Sequence, residues 1–244
     1  EGFQPAVSNV IDFIEIATTG NAVDFGDLTS ARRAGSGLSS STRGVFAGGV
    51  TPGALSGLEF ITIASQGNAV DYGDLLTANN KECDSTSNSV RGIVAGGSPA
   101  QNVIQQFNIA TGGNTTDFGD LLAATNSGAL NSGSHGGLNE GYQGTKFNYF
   151  TTGKPVPRGG GVGDLSVKVG GEGSSAVALI GFNLISTAGN ENFFGDLTNG
   201  ARYDTNGCAG DTRMFTWSGT LDGTGGVNSI DYLTFSHKGN TAEC

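Results

Sequence analysis

One phrase returns along this chain at near-constant spacing, and that repetition constrains the fold more than any other feature. IDFIEIATTGNAVDFGDL at 11–28 comes back as LEFITIASQGNAVDYGDL at 58–75 and as IQQFNIATGGNTTDFGDL at 104–121. The Gly-Asp-Leu triplets at 26–28, 73–75 and 119–121 lie 47 and then 46 residues apart. A second phrase, STRGVFAGG at 41–49, is echoed by SVRGIVAGG at 89–97. Weaker copies follow. GVGDL at 161–165 and FFGDL at 193–197 keep the triplet, while NEGYQG at 139–144 and TRMFTWSG at 212–219 stand where GVFAGG stood. KFNYFTTG at 146–153, GFNLISTAGN at 181–190 and IDYLTFSHKGN at 230–240 continue the longer phrase. A repeat of this length is one supersecondary unit that buries its apolar face only by stacking on its neighbours.

Within a unit the periodicity is that of strands. Leu58, Phe60, Thr62 and Ala64 alternate with Glu59, Ile61, Ile63 and Ser65, and the stretch ends at Gly67-Asn68, a turn pair tolerant of positive φ. A second strand runs through Val70–Leu75, and GVFAGG reads as a buried strand stopped by two glycines. No 3.6-residue apolar pattern persists, so the chain is all-β. Four short strands in about 47 residues, repeated, predict β-propeller blades.

The order of these cues resembles the kelch family. Arg43/Gly44–Gly49, Leu58–Ser65 and Tyr72–Leu75 fill the second, third and fourth strand slots of a kelch repeat. Phe25, Tyr72 and Phe118 stand where the family has a tryptophan, and the first strand is Ser/Gly-rich. The resemblance is close over 9–144 and loose over 145–244. It implies a single kelch-like β-propeller over 1–244, with repeats near 9–49, 50–97, 98–144, 145–171 and 172–219 and a partial one at 220–244. Counting strands suggests five blades, with six as the alternative, closed by strands from both termini.

Composition removes whole classes of function. Twelve Lys+Arg against 22 Asp+Glu give a net charge of −10, and the basic residues are scattered, which argues against nucleic acid and against anionic membrane surfaces. The apolar run AVALIGFNLI at 176–185 is too short for a membrane-spanning helix. The chain opens on Glu1 with no Lys/Arg-led leader, so a processed fragment is expected. Cys83, Cys208 and Cys244 form no CxxC spacing, and His135 and His237 are the only histidines, which excludes a disulfide scaffold, a zinc module and a His-rich metal site.

The motifs that tempt a catalytic reading have structural explanations. Asp24-Phe25-Gly26 and Asp117-Phe118-Gly119 spell the magnesium triplet of kinases, yet they sit inside a repeat without the other kinase motifs, and read as a core aromatic between turn formers. The pairs Asp24/Asp27, Asp71/Asp74 and Asp117/Asp120 are too sparse for calcium and read as turn caps and surface charge. No carboxylate pair is singled out for glycoside hydrolysis, and no nucleophile motif fits. His135 is placed in an exposed loop, His237 at a routine turn and Trp217 in the core. Cys83 and Cys208, upstream of Arg91 and Arg213, are expected as buried small hydrophobes. Three loops, 78–89, 124–137 and 153–161, differ between units whose strands are alike, a pattern that binding surfaces share.

GNAVDFGDL and STRGVFAGG also look like the kelch-like repeats in tail-fibre and other virion surface proteins of bacteriophages, especially those of marine cyanobacteria. That likeness implies a non-enzymatic virion structural protein, a fibre or surface-appendage subunit on the virion surface or outside the cell. It implies a homo-oligomer that takes part in assembly or host-surface attachment, with other virion proteins or a host cell-surface glycan as partners. No catalytic, cofactor or metal residues are assigned. The alternative is a secreted carbohydrate-binding propeller, and a third reading is a degenerate enzyme domain. The last strand phrase, 230–240, is surplus to the blade count and is expected to complete a blade in a neighbouring subunit.

Overall fold

The computed structural model describes residues 3–4, 6–77, 82–133, 164–210, 212–222 and 225–244. Among them there is no helix, and every strand pairing is antiparallel. The first sheet holds β1 (Phe3–Gln4), β2 (Ala6–Phe13) and β3 (Val23–Arg32). Four sheets of four strands follow, each in simple chain order. The second is β4 (Ser36–Ser39), β5 (Arg43–Ala47), β6 (Gly57–Thr62) and β7 (Val70–Asp74). The third is β8 (Asp84–Ser87), β9 (Arg91–Ala95), β10 (Gln101–Asn108) and β11 (Thr116–Thr125). The fourth is β12 (Ala129–Ser132), β13 (Leu165–Val169), β14 (Leu179–Leu184) and β15 (Asn192–Asp196). After the two-residue β16 (Arg202–Tyr203), the fifth begins with β17 (Asn206–Ala209) and β18 (Arg213–Trp217). It ends, past β19 (Thr220–Leu221) and β20 (Gly225–Gly226), with β21 (Ile230–Thr234) and β22 (Ala242–Glu243). β16, β19 and β20 form a small sheet of their own.

A β-bulge in the last hairpin of four sheets explains the aromatic in each signature. Ile11 faces Gly26 while Asp12 faces Asp24, so Phe25 is the extra residue. The same skip leaves Tyr72, Phe118 and Phe194 unpaired in the ladder. A bulge re-aims the side chain it carries, and all four rings are buried. The core lies between sheets. One apolar cluster joins the first and second sheets (Ile11, Phe25, Leu28, Ala69) and another the second and third (Leu58, Tyr72, Phe107, Ile109). Two more do the same for the third with the fourth (Phe118, Leu121, Ile185) and the fourth with the fifth (Phe194, Met214, Phe235). β13 is buried along its whole length because both its faces meet neighbours.

Several expectations change. Leu165, the last residue of GVGDL, opens β13, the second strand of the fourth sheet, and that sheet's signature is the FFGDL of β15. Most of the unit drawn at 145–171 lies outside the described residues. The terminal strands do not share a sheet, since β1–β3 and β17–β22 belong to different ones. Nor is 230–240 surplus, because β21 pairs with β18 inside its own sheet. NEGYQG and KFNYFTTG lie outside the described residues.

Candidate functional site

The Ser/Gly-rich segments that lacked a strand signature form one edge strand of each four-stranded sheet. β4, β8, β12 and β17 lie successively side by side. Hydroxyls on these strands satisfy the backbone of the next. Ser85 Oγ donates to Gly37 O (3.0 Å), Ser87 Oγ to Ser39 O (2.7 Å) and Ser132 Oγ to Ser87 O (2.7 Å). A cavity of about 330 Å³ opens between these strands, reached by Ser39, Ser85, Thr86, Asn131, Ser132 and Ala209. Its lining mixes hydroxyl, amide and backbone groups with the apolar side chains of Leu38, Val45, Phe46 and Leu130. Parts of the variable loops 78–89 and 124–137 are thus strands: β8 and β12.

Charged side chains are buried where one element meets the next. Arg32 of β3 pairs with Glu59 of β6, which also accepts hydrogen bonds from Thr29 N (2.8 Å) and Thr29 Oγ1 (2.6 Å). Asp84 of β8 pairs with Lys168 of β13, and Arg202 of β16 with Asp231 of β21. Asp231 is completed by Asn199 Nδ2 at 2.9 Å. In the third sheet Gln105 takes the place of Glu59 and accepts from Leu76 N (2.7 Å) and Thr115 Oγ1 (2.8 Å). In the fourth, the corresponding residue is Gly181, and the carboxylate comes instead from Glu191, which packs over it and accepts from Leu122 N (2.9 Å). Burial pushes the Glu191 carboxyl above its ordinary pKa, opposed by that hydrogen bond and by Lys168. Removing one partner of such a pair strands a buried charge, so these groups act as joints between sheets.

The recurring Gly-Asn and Gly-Asp pairs turn out to be two halves of one clasp. Asn68 Oδ1 accepts from Asp27 N (3.1 Å), Asn114 from Asp74 N (3.0 Å), Asn190 from Asp120 N (3.1 Å) and Asn240 from Asp196 N (3.0 Å). Backbone bonds flank each junction, such as Gly113 N to Tyr72 O (2.9 Å) and Thr115 N to Asp74 O (2.8 Å). The two backbones approach so closely that a Cβ on Gly26, Gly73 or Gly119 falls 2.4–2.6 Å from the carbonyl of the facing glycine. Those three glycines also hold φ between +137° and +150°. The Asp-Phe-Gly triplets are therefore docking sites for the next sheet's turn.

Arginines at the head of the second strands add a third tie. Arg43 Nη1 donates to Ile109 O (2.8 Å) and Ala110 O (2.7 Å) of the third sheet and lies 4.5 Å over the Phe60 ring. Arg91 repeats the bond to Ile185 O at 2.8 Å. The fourth sheet has Leu165 at this position, and there Lys238 of the fifth sheet reaches back over Phe182 at 4.1 Å.

Other sequence expectations divide. His237 lies exposed on a turn with Nδ1 2.8 Å from Ser236 Oγ, and Cys83 is buried beside Ser36. Cys208 is exposed; it lies within β17, three residues beyond the place that Cys83 holds before β8. Trp217 is 36% exposed at the end of β18 and is not a core residue. His135 and the loop 153–161 lie outside the described residues. Among the described residues no group of three or more His, Cys, Asp and Glu is placed to hold a metal ion, and no helix is long and apolar enough to cross a membrane. The clasp was missed because Gly-Asn reads locally as a turn; the usable signal was its co-occurrence with Gly-Asp in every clear copy. No protein-family model matches the sequence, and no curated protein does.

Proposed function

We propose that this chain is a non-enzymatic structural module of a virion, a fibre or surface-appendage subunit whose sheets form a five-bladed, kelch-like propeller. It assembles with copies of itself and with other virion proteins at the virion surface, and takes part in host attachment. The observation that carries the reading is the clasp, made at each of four successive sheet junctions. Buried ion pairs and arginine ties serve the same junctions, so the chain's most specific polar chemistry goes into joining β-sheets. Scaffolds built this way vary their edges and loops while keeping the joints. Sedimentation velocity over a wide concentration range tests the assembly half: species heavier than the 24.6 kDa chain are expected, and a monomer throughout overturns it. A second reading, a carbohydrate-binding propeller, is favoured by the cavity between β4, β8 and β12, which sets hydroxyl and amide groups beside apolar side chains. Saturable binding of one glycan to a monomer supports that alternative.

A further inference from the structure

We infer that the side chains of Asp84 and Lys168 condense to an amide, a covalent cross-link between the third and fourth sheets, with Glu191 as the hydrogen-bond donor that promotes the reaction.

Of the buried ion pairs among the described residues, this one alone holds a cation that can become a nucleophile. Arg32–Glu59 and Arg202–Asp231 use guanidinium groups, which stay protonated. Lys168 Nζ touches Asp84 Oδ2, and the two side chains are 5% and 8% exposed. A lysine amine attacks carbonyl carbon once it has lost its proton. In a contact shut off from water, passing that proton to the carboxylate removes two charges that are costly to bury.

The surroundings leave room for the contact and little else. A Cβ on Gly128 falls 2.9 Å from Asp84 Oδ2 and closer still to Lys168 Nζ, so the pair meets only because residue 128 has no side chain. A Cβ on Gly181 collides with the Glu191 carboxyl, so a second glycine admits that group. The arrangement belongs to one junction. By strand register, the places of Asp84 and Lys168 are held by Ser36 and Val94 at the junction before, and by Ala129 and Thr216 at the one after.

Glu191 and Lys168 line one void of about 10 Å³, shared with Thr125 and the apolar Leu122, Val177 and Leu179. Glu191 Oε2 accepts from Leu122 N, whereas Oε1 is buried without a hydrogen-bond partner, as is Thr125 Oγ1. Burial keeps a proton on this carboxyl to a higher pH than is usual. Protonated, Glu191 donates to the Asp84 oxygen on which negative charge grows as Nζ adds to Cγ. The N–C bond forms, one C–O bond of Asp84 breaks, and that oxygen leaves as water with the two protons that Nζ sheds. The charges of the pair cancel and no other reactant is consumed. The void has the size of about one water molecule, the volume that the departing oxygen needs. The bond ties positions 84 residues apart.

The purified chain is unfolded in denaturant and its intact mass measured. The expected mass is that of the sequence less one water molecule, with the Asp84 and Lys168 peptides joined in a tryptic digest. Lys168→Arg keeps the charge pair but offers no amine, and is expected at full mass. Glu191→Ala is also expected at full mass, whereas Glu191→Gln keeps an N–H donor and retains the bond. Full mass in the unaltered chain overturns the proposal. So does a lost water that maps elsewhere, such as a cyclised Glu1, or that persists in Lys168→Arg. A bond that survives in Glu191→Ala, or is lost in Glu191→Gln, overturns the part given to Glu191. The readout does not depend on oligomeric state, so it stands apart from the test of assembly.

Discussion

Asn114 Oδ1 accepts a hydrogen bond from the backbone N–H of Asp74 at 3.0 Å, across 40 residues of sequence and from one sheet to the next. Asn114→Ala leaves that N–H without its partner and costs about 1 kcal/mol, or roughly 2–4 °C in melting temperature for a chain of this size. Asn190→Ala behaves alike. Asn21 occupies the same turn in the first sheet, and among the described residues no backbone N–H donates to its side chain as at the four clasps. Asn21→Ala is therefore expected to leave the melting temperature unchanged, and an equal loss in all three variants contradicts the clasp.

Gly119→Ala forces a Cβ to 2.4 Å from Gly189 O at a φ of +150°. The neighbour is backbone and cannot rotate away, so the expected loss is about 1–3 kcal/mol or more. Gly57→Ala, on a strand with open space beside it, is neutral within about 0.5 kcal/mol. Urea unfolding midpoints separate the two.

Asp231→Ala leaves Arg202 buried without its carboxylate, and the expected cost is about 3–5 kcal/mol. The double variant Arg202→Met with Asp231→Leu recovers most of that loss, because neither charge remains to be desolvated. A double variant as unstable as the single one contradicts the assignment of this pair as a joint.

Glu191 binds its proton more tightly in the folded chain than in the unfolded one, because burial raises its pKa. Stability is then greatest below the ordinary carboxylate range and falls as pH rises through the raised value. Glu191→Gln keeps an acceptor for Leu122 N–H and removes the ionisation. It is expected to raise the melting temperature at pH 8 and to change little at pH 4. A melting curve against pH checks both ends.

Much of this fold was readable in the sequence because strand phrases and their turns are local. LEFITIAS alternates, GVFAGG is apolar and stops on glycines, and β5 and β6 formed where those cues placed them. What escaped had no local signal. Ser36–Ser39 and Asp84–Ser87 are strands because their neighbours, rather than their own propensity, hold them at the edge of their sheets. Leu165 closes a Gly-Asp-Leu triplet yet begins a central strand, since its pairing with Leu184 outweighs the resemblance. The clasp is a relation between two turn-like pairs in different units, so neither half betrays it when read within its own unit.

The proposed gathering of four sheets about the axis lined by β4, β8, β12 and β17 is tested most directly by small-angle X-ray scattering, at dilutions where the mass is 24.6 kDa. A compact particle with a radius of gyration of about 18 Å is predicted for 244 residues. A rod-like distance distribution with a markedly larger radius contradicts it, and means that the clasped sheets run on in a line instead of turning about a centre.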